Sequence, residues 1–296
     1  MSSVSEVTTH PEGSGATPRS FPAPEPVLLE RYVLGDLLGL GGYGEVYRAT
    51  DTALEREVAL KLFGLQVPSA CIRREAVALA GVDHRHVLSI HDFQVLECRA
   101  FLVMELVLGG SLKERAAQAE DWHEIVTWYA QAARGLEAMH HAGIAHGDVK
   151  PTNILVHHRG GHAVVADLGL VHGAKLRWRG PSSAGTAGYM APERRLGALA
   201  SPRSDLFSLC VCVCEALFGE QLEHDAGRVV LRRVNTLRRF EGIPAELELG
   251  LRRGLSADPA ARFEHIGELA ALLEDHARPS SRSGLWARLA QRRLRS

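Results

Sequence analysis

His146-Gly147-Asp148-Val149-Lys150-Pro151-Thr152-Asn153 runs straight into the apolar triplet Ile154-Leu155-Val156. The switch from polar to apolar predicts a tight loop leading into a short buried strand. Pro151 fixes its own φ and biases Lys150 toward extended backbone, which stiffens that loop. Within it, Asp148, Lys150 and Asn153 supply a carboxylate, an ammonium and an amide close together. Phosphoryl transfer needs such a set: a carboxylate to take a hydroxyl proton, a cation for the phosphate, and an oxygen ligand for Mg²⁺. Taken alone the octet decides little, because Asp, Lys and Asn also crowd ordinary solvated loops.

The chain around it has 296 residues, 46% hydrophobic and 23% charged, enough for one large or two modest domains. A net charge of −1 argues against a generally basic nucleic-acid binder. That neutrality is uneven. Residues 278–296 hold six Arg and no acid, leaving 28 basic against 35 acidic residues in the rest. Of the five cysteines, Cys210, Cys212 and Cys214 alternate within an apolar run, unlike a disulfide framework or a CxxC zinc site, and Cys71 and Cys98 stand apart. Buried thiols in a reducing compartment are expected. No signal-peptide pattern opens the chain, and the apolar stretch Leu206 to Phe218 is too short for a bilayer, so a soluble, cytoplasmic protein is expected.

Residues 1–28, rich in Ser, Thr, Pro and Gly, are read as a disordered arm. Short β-rich runs follow at Tyr32–Leu38, Glu45–Ala49, Glu57–Phe63, Val87–Phe93 and Ala100–Glu105, with one helix at Ala70–Ala80. After Gly109-Gly110 the pattern turns helical. Asp121–His141 carries apolar residues on a 3–4 spacing and stops before Gly143; further helices are expected at Ser204–Phe218, Ala245–Gly254 and Ile266–Leu273. The organisation is thus a small strand-rich lobe over about 29–105 and a larger helical lobe over about 106–277, hinged at 105–110. The tail 278–296 holds Leu285, Trp286, Leu289 and Leu294 among its arginines. Its two readings are a solvated or self-docked basic tail and a weak membrane-surface or partner helix.

More chemistry lies upstream and downstream of the octet. Gly39-Leu40-Gly41-Gly42-Tyr43-Gly44 sits between two predicted strands with no helix after it, which suits a flap over phosphates better than a dinucleotide-binding turn. In Val58-Ala59-Leu60-Lys61, alternation puts Lys61 on the face of Ala59 and Phe63, where an ammonium is costly unless it meets anions. Glu75 lies mid-helix and could hold Lys61 in place, or pair locally with Arg73 or Arg74. Val164-Val165-Ala166-Asp167-Leu168-Gly169 reads as a buried strand ending in an acid, which could join Asn153 on a metal or simply begin a turn.

In this order, with Ala191-Pro192-Glu193 after them, these segments resemble the eukaryotic-type Ser/Thr protein kinase family in its bacterial style, over about residues 30–275. The resemblance implies an α+β, two-lobed protein kinase fold: a small antiparallel β-sheet lobe with one helix, then a mainly α-helical lobe. It implies ATP with Mg²⁺ or Mn²⁺ as cofactors, and protein Ser/Thr hydroxyls as substrates, with autophosphorylation among the expected reactions. On matching positions, Lys61 would bind the α- and β-phosphates and pair with Glu75. Asp148 would take the hydroxyl proton and Lys150 steady the γ-phosphate, while Asn153 and Asp167 hold metal. Gly39, Gly41 and Gly44 would cover the phosphates. Leu38, Val46, Ala59 and Leu155 would enclose adenine, with Met104 as gatekeeper and Glu105 to Val107 as hinge. Glu193 would pair with Arg262, and Asp205 would brace the catalytic loop. Lys150 and the segment Gly185 to Glu193 imply Ser/Thr rather than Tyr preference.

Gly147 departs from the pattern, since the family usually carries Arg before the catalytic Asp to grip an activation-loop phosphate. Phosphorylation of Ser182, Ser183 or Thr186 would then lack that receptor, and basal activity should not need it. Leu168 in place of Phe is a milder change. Ser111 and Thr152 stand where kinases favouring arginine-rich peptides tend to carry Glu, which speaks against a strong basophilic preference. Two other readings stay open: a pseudokinase or scaffold without turnover, and a small-molecule phosphotransferase, since His-Gly-Asp occurs in those enzymes too. The pairs His157-His158 and His140-His141, with His162, lack the acid or Cys that would complete a metal set.

Overall fold

A computed structural model of the chain describes residues 31–41, 43–96, 99–158, 161–166, 187–225, 228–233 and 240–277. The expected arm and basic tail, together with Gly42, Cys98 and Asp167 to Thr186, lie outside the described residues.

Alternating β-formers build one antiparallel sheet from five strands: β1 (Tyr32–Gly41), β2 (Gly44–Asp51), β3 (Arg56–Phe63), β4 (Ile90–Leu96) and β5 (Arg99–Met104), in the order β1-β2-β3-β5-β4. Central β3 is covered on both faces. Val58, Leu60 and Leu62 pack with Tyr32, Ala49, Phe101 and Val103 on one side, whereas Ala59 and Phe63 face the rest of the molecule. Helix α1 (Ser69–Ala80) crosses between β3 and β4 and buries Ile72, Ala76 and Leu79.

The fourth strand begins at Ile90 and not at Val87. Val87 and Leu88 are buried, but their backbone serves another partner: Val87 bridges Val165, and the Leu88 N–H donates to the Val165 carbonyl at 2.9 Å. One apolar run is therefore shared between two sheets, which its residue types could not reveal.

Beyond β5 the chain is mainly helical. Helix α2 (Leu112–Gln118) was not foreseen, although Ser111 and Glu114 form a capping box in which each side chain accepts from the other's backbone N–H. Helix α3 (Trp122–His141), capped by Asp121, buries Ile125, Trp128, Tyr129, Ala132, Leu136 and Met139 as the spacing predicts. The hairpin β6 (Ile154–Val156) and β7 (Ala163–Val165) follows. After the short α4 (Pro192–Arg195) comes α5 (Pro202–Phe218), nearly all buried, as expected of a helix apolar all round. Cys210, Cys212 and Cys214 are buried inside it and form no disulfide. A hairpin, β8 (Glu220–Asp225) and β9 (Arg228–Arg233), was not foreseen either; α6 (Ala245–Gly254) and α7 (Ile266–Asp275) complete the lobe. Helices α3, α5, α6 and α7 share one core with Leu247, Leu251, Ile266 and Leu269. Among the described residues, no helix is long and apolar enough to cross a membrane.

Candidate active site

The octet is a loop held from below by one buried carboxylate. Asp205, in the first turn of α5, is 1% exposed. It accepts from the His146 N–H at 2.7 Å, the Gly147 N–H at 2.8 Å and the His140 Nε2–H at 2.9 Å. The backbone bends sharply there. Gly147 has φ +77°, a left-handed conformation that residues with a Cβ adopt at some cost. His146 tightens the bend: its Nδ1 accepts from the Asp148 N–H at 3.2 Å, which leaves Nε2 protonated to donate to the Ala166 carbonyl at 3.1 Å.

Three predicted polar groups converge on this loop. Lys150 Nζ donates to Asp148 Oδ2 at 2.7 Å. Asn153 Nδ2 donates to the same oxygen at 3.1 Å and to the Asp148 carbonyl at 2.9 Å. Oδ2 is thus occupied twice, while Asp148 Oδ1 is buried with no hydrogen-bond partner. A buried, unpaired carboxylate oxygen is costly unless a donor arrives to meet it. An incoming hydroxyl fits that requirement.

Across the cleft, Lys61 on β3 is 4% exposed. It lines a cavity with Leu79, Leu102, Met104, His146 and Ala166, and its Nζ lies 5.4 Å from the Phe63 ring centroid. A cation among such walls suits a polyanionic ligand. Val46, Ala59, Met104, Val107 and Leu155 gather into one apolar cluster beside it. Leu38 does not join them and stays 45% exposed on β1. Gly39 and Gly41 lie where β1 turns toward β2, with Gly41 opposite Gly44. A Cβ at Gly44 would collide with the Leu62 carbonyl oxygen, so the close approach of β2 to β3 requires glycine there. The Glu105 carboxylate faces His157 at 3.1 Å, and its N–H donates to the Ser89 carbonyl at 2.9 Å. The Glu75 side chain and all of Asp167 lie outside the described residues.

Two supports follow the expectation. Glu193 and Arg262 form a bidentate pair, both bonds 2.7 Å. Burial alone would raise the Glu193 carboxyl; the guanidinium overcomes this and leaves it below its ordinary value. Other contributors were missed. His140 reads as one of two histidines ending a helix, yet it shares Asp205 with the loop; its place one turn past Leu136 on the buried face was the available signal. Tyr189 donates to Glu215 at 2.5 Å, tying the segment after Thr186 to α5. Burial and that carboxylate raise the Tyr189 hydroxyl well above its ordinary range.

Residues 32–255 match the protein kinase domain family. Serine/threonine-protein kinase PknE of Mycobacterium tuberculosis is 33% identical over 260 residues, covering 81% of this chain and 45% of PknE. PknD of the same organism is 33% identical over 262 residues, covering 82% and 39%. Serine/threonine-protein kinase PknL of Mycobacterium bovis is 30% identical over 289 residues, covering 88% and 70%. The chain therefore spans less than half the length of PknE and PknD. Among solved structures, the kinase domain of Mycobacterium tuberculosis PknI superposes with a TM-score of 0.63 at 23% identity, covering 83% of this chain and 96% of that one.

Proposed function

The chain belongs to the protein kinase family, and from that premise we propose that it transfers the γ-phosphoryl group of ATP to Ser or Thr hydroxyls of proteins. The observation that carries this reading is Asp148, with one oxygen held by Lys150 and Asn153 and the other buried and free to accept. The acceptor hydroxyl donates its proton to Asp148 Oδ1 as its oxygen forms a bond to the γ-phosphorus. The bond from that phosphorus to the bridging β–γ oxygen breaks, and ADP leaves. Lys150 keeps the Asp148 carboxylate oriented and lies where a transferring phosphoryl group needs a cation. Lys61 binds the α- and β-phosphates, paired with Glu75. Val46, Ala59 and Leu155 enclose the adenine, with Leu38 closing over it from β1. Asn153 and Asp167 would hold Mg²⁺ or Mn²⁺, which neutralises charge on the phosphates when bound.

The reaction belongs to the cytoplasm, where ATP is abundant, and autophosphorylation accompanies it. Gly147 supports activity without a phosphorylated activation loop, since no Arg at that position is available to grip a phosphate. Phosphatase treatment should leave basal turnover in place; complete loss would overturn this regulatory reading.

The test incubates the protein with labelled ATP, Mg²⁺ and a general protein acceptor, beside Asp148→Asn and Lys61→Met. Label should appear on the acceptor with the unaltered chain and disappear with both variants. Equal label in all three would end the enzyme reading.

A further inference from the structure

Two arginines near α4, Arg262 and Arg194, are treated differently by the fold. Arg262 is saturated: besides both Glu193 oxygens it donates to the carbonyls of Ser256 at 2.8 Å and Arg203 at 2.9 Å, and it lies over the Phe207 ring. Arg194 is half-buried, and its one hydrogen bond among the described residues is a 3.2 Å contact from Nη1 to the Ala198 carbonyl. Most of its N–H donors therefore have no acceptor among the described residues.

Its position makes that surplus informative. Arg194 lines a cleft together with Gly147 and Asp148 of the catalytic loop, Tyr189, Met190 and Asp205. Asp205 is already engaged by three donors, Glu193 by Arg262, and Asp148 Oδ2 by Lys150. The Asp205 and Glu193 carboxylates and Asp148 Oδ2 are thus committed elsewhere, and Asp148 Oδ1, the proposed proton acceptor, takes no hydrogen bond from Arg194. Burial holds the guanidinium below its ordinary pKa, and Asp205, Glu193 and Asp148 recover only part of that loss. Gly147 leaves its side of the cleft without a side chain. What remains is an under-compensated cation next to the proposed base, open to an anion that arrives with the substrate.

We propose that Arg194 is a specificity-determining residue that receives a carboxylate or phosphate carried by a substrate residue close in sequence to the acceptor hydroxyl. The inference rests on the protein kinase reading above and names a substrate class for the same site: acidic or already phosphorylated segments. A planar guanidinium suits either oxyanion through paired N–H donors.

The experiment uses Ser acceptor peptides in which each flanking position carries Glu, phosphoserine or Gln in turn, with the full chain and with Arg194→Gln, Arg194→Lys and Arg195→Gln. Turnover gives kcat/KM, and fluorescence anisotropy gives binding without turnover. The full chain and Arg195→Gln should favour an anion at one or two flanking positions by about tenfold or more. Arg194→Gln should lose that preference while handling the Gln peptides normally, and Arg194→Lys should keep part of it. The Glu and phosphoserine arms show which oxyanion is preferred. Anion preference that survives in Arg194→Gln, or an equal loss on every peptide, would overturn the proposal. If no peptide is labelled, the reaction reading fails, and anisotropy still decides the seat: discrimination by the full chain that Arg194→Gln loses supports it, and equal binding overturns it.

Discussion

Replacing Asp205 by Asn should loosen the catalytic loop before it unfolds the protein. The native carboxylate accepts three donors, at 2.7, 2.8 and 2.9 Å. Asn retains one acceptor oxygen and puts an NH₂ group where the second oxygen was, facing a donor. At least one charge-assisted bond is lost, about 1.5–3 kcal/mol, and one buried N–H is orphaned, about 1–3 kcal/mol more. Even the lower half of that range, about 3 kcal/mol, corresponds to about a hundredfold change in local opening. Native-state hydrogen exchange should show the His146 and Gly147 amides exchanging about a hundredfold faster, while amides in β3 and β5 change little. Because Asp148 follows at once, kcat should fall by a similar factor with KM for ATP nearly unchanged. Unchanged exchange at those two amides, or an unchanged kcat, would refute the claim that Asp205 holds the loop.

Removing one half of the Glu193–Arg262 pair, as in Arg262→Met, leaves an uncompensated carboxylate and should destabilise the chain by about 3–5 kcal/mol in urea unfolding; Glu193→Gln with Arg262→Met should recover part of that loss. The hydrogen-bonded Arg31 guanidinium, working against burial, holds the Asp51 carboxyl down at about 2, against 3.8 ordinarily. Its stabilisation is therefore complete above 3.8 and lost as pH falls toward 2, so the Tm gap between the native chain and Asp51→Asn should be flat above pH 3.8 and shrink below it. A gap that widens on acidification contradicts this assignment. His86 is pushed by burial from 6.5 to about 4, although its bond to the Ala163 carbonyl opposes that fall. The fold thus favours neutral His86, and stability should decline as pH drops from 6.5 toward 4. His86→Asn should flatten part of that decline in chemical denaturation.

The elements that sequence pattern foretold are those in which one partner dictates the residue types. β3 sits at the centre of its sheet, and its alternation is read off Val58, Leu60 and Leu62 directly. α3 shows its buried face in the spacing of Ile125, Trp128, Tyr129 and Leu136. Errors arose where backbone rather than side chains made the choice. Val87 and Leu88 look like strand residues of β4, but Val87 sits opposite Val165 of β7 while the His86 carbonyl and the Leu88 N–H make the hydrogen bonds to it. β8 and β9, Glu220–Asp225 and Arg228–Arg233, carry charged sequences with no clear apolar period. In the site, Asp148, Lys150 and Asn153 were legible because their chemistry is concentrated in one loop. His140 and Arg194 were not, since each reaches the loop from another element and only the fold brings them there.

The backbone pairing of residues 86–88 with β7 has a mechanical meaning. The strand-rich lobe is joined to the helical lobe covalently through 105–110, and again by hydrogen bonds from Val165 N–H to the His86 carbonyl and from Leu88 N–H to the Val165 carbonyl, each 2.9 Å. A body fixed to another at two separate points keeps one easy rotation, about the line through both, as a door does on two pins. The nucleotide cleft should therefore open and close along a single angle. Sliding or twisting of one lobe over the other would first have to break the second pin.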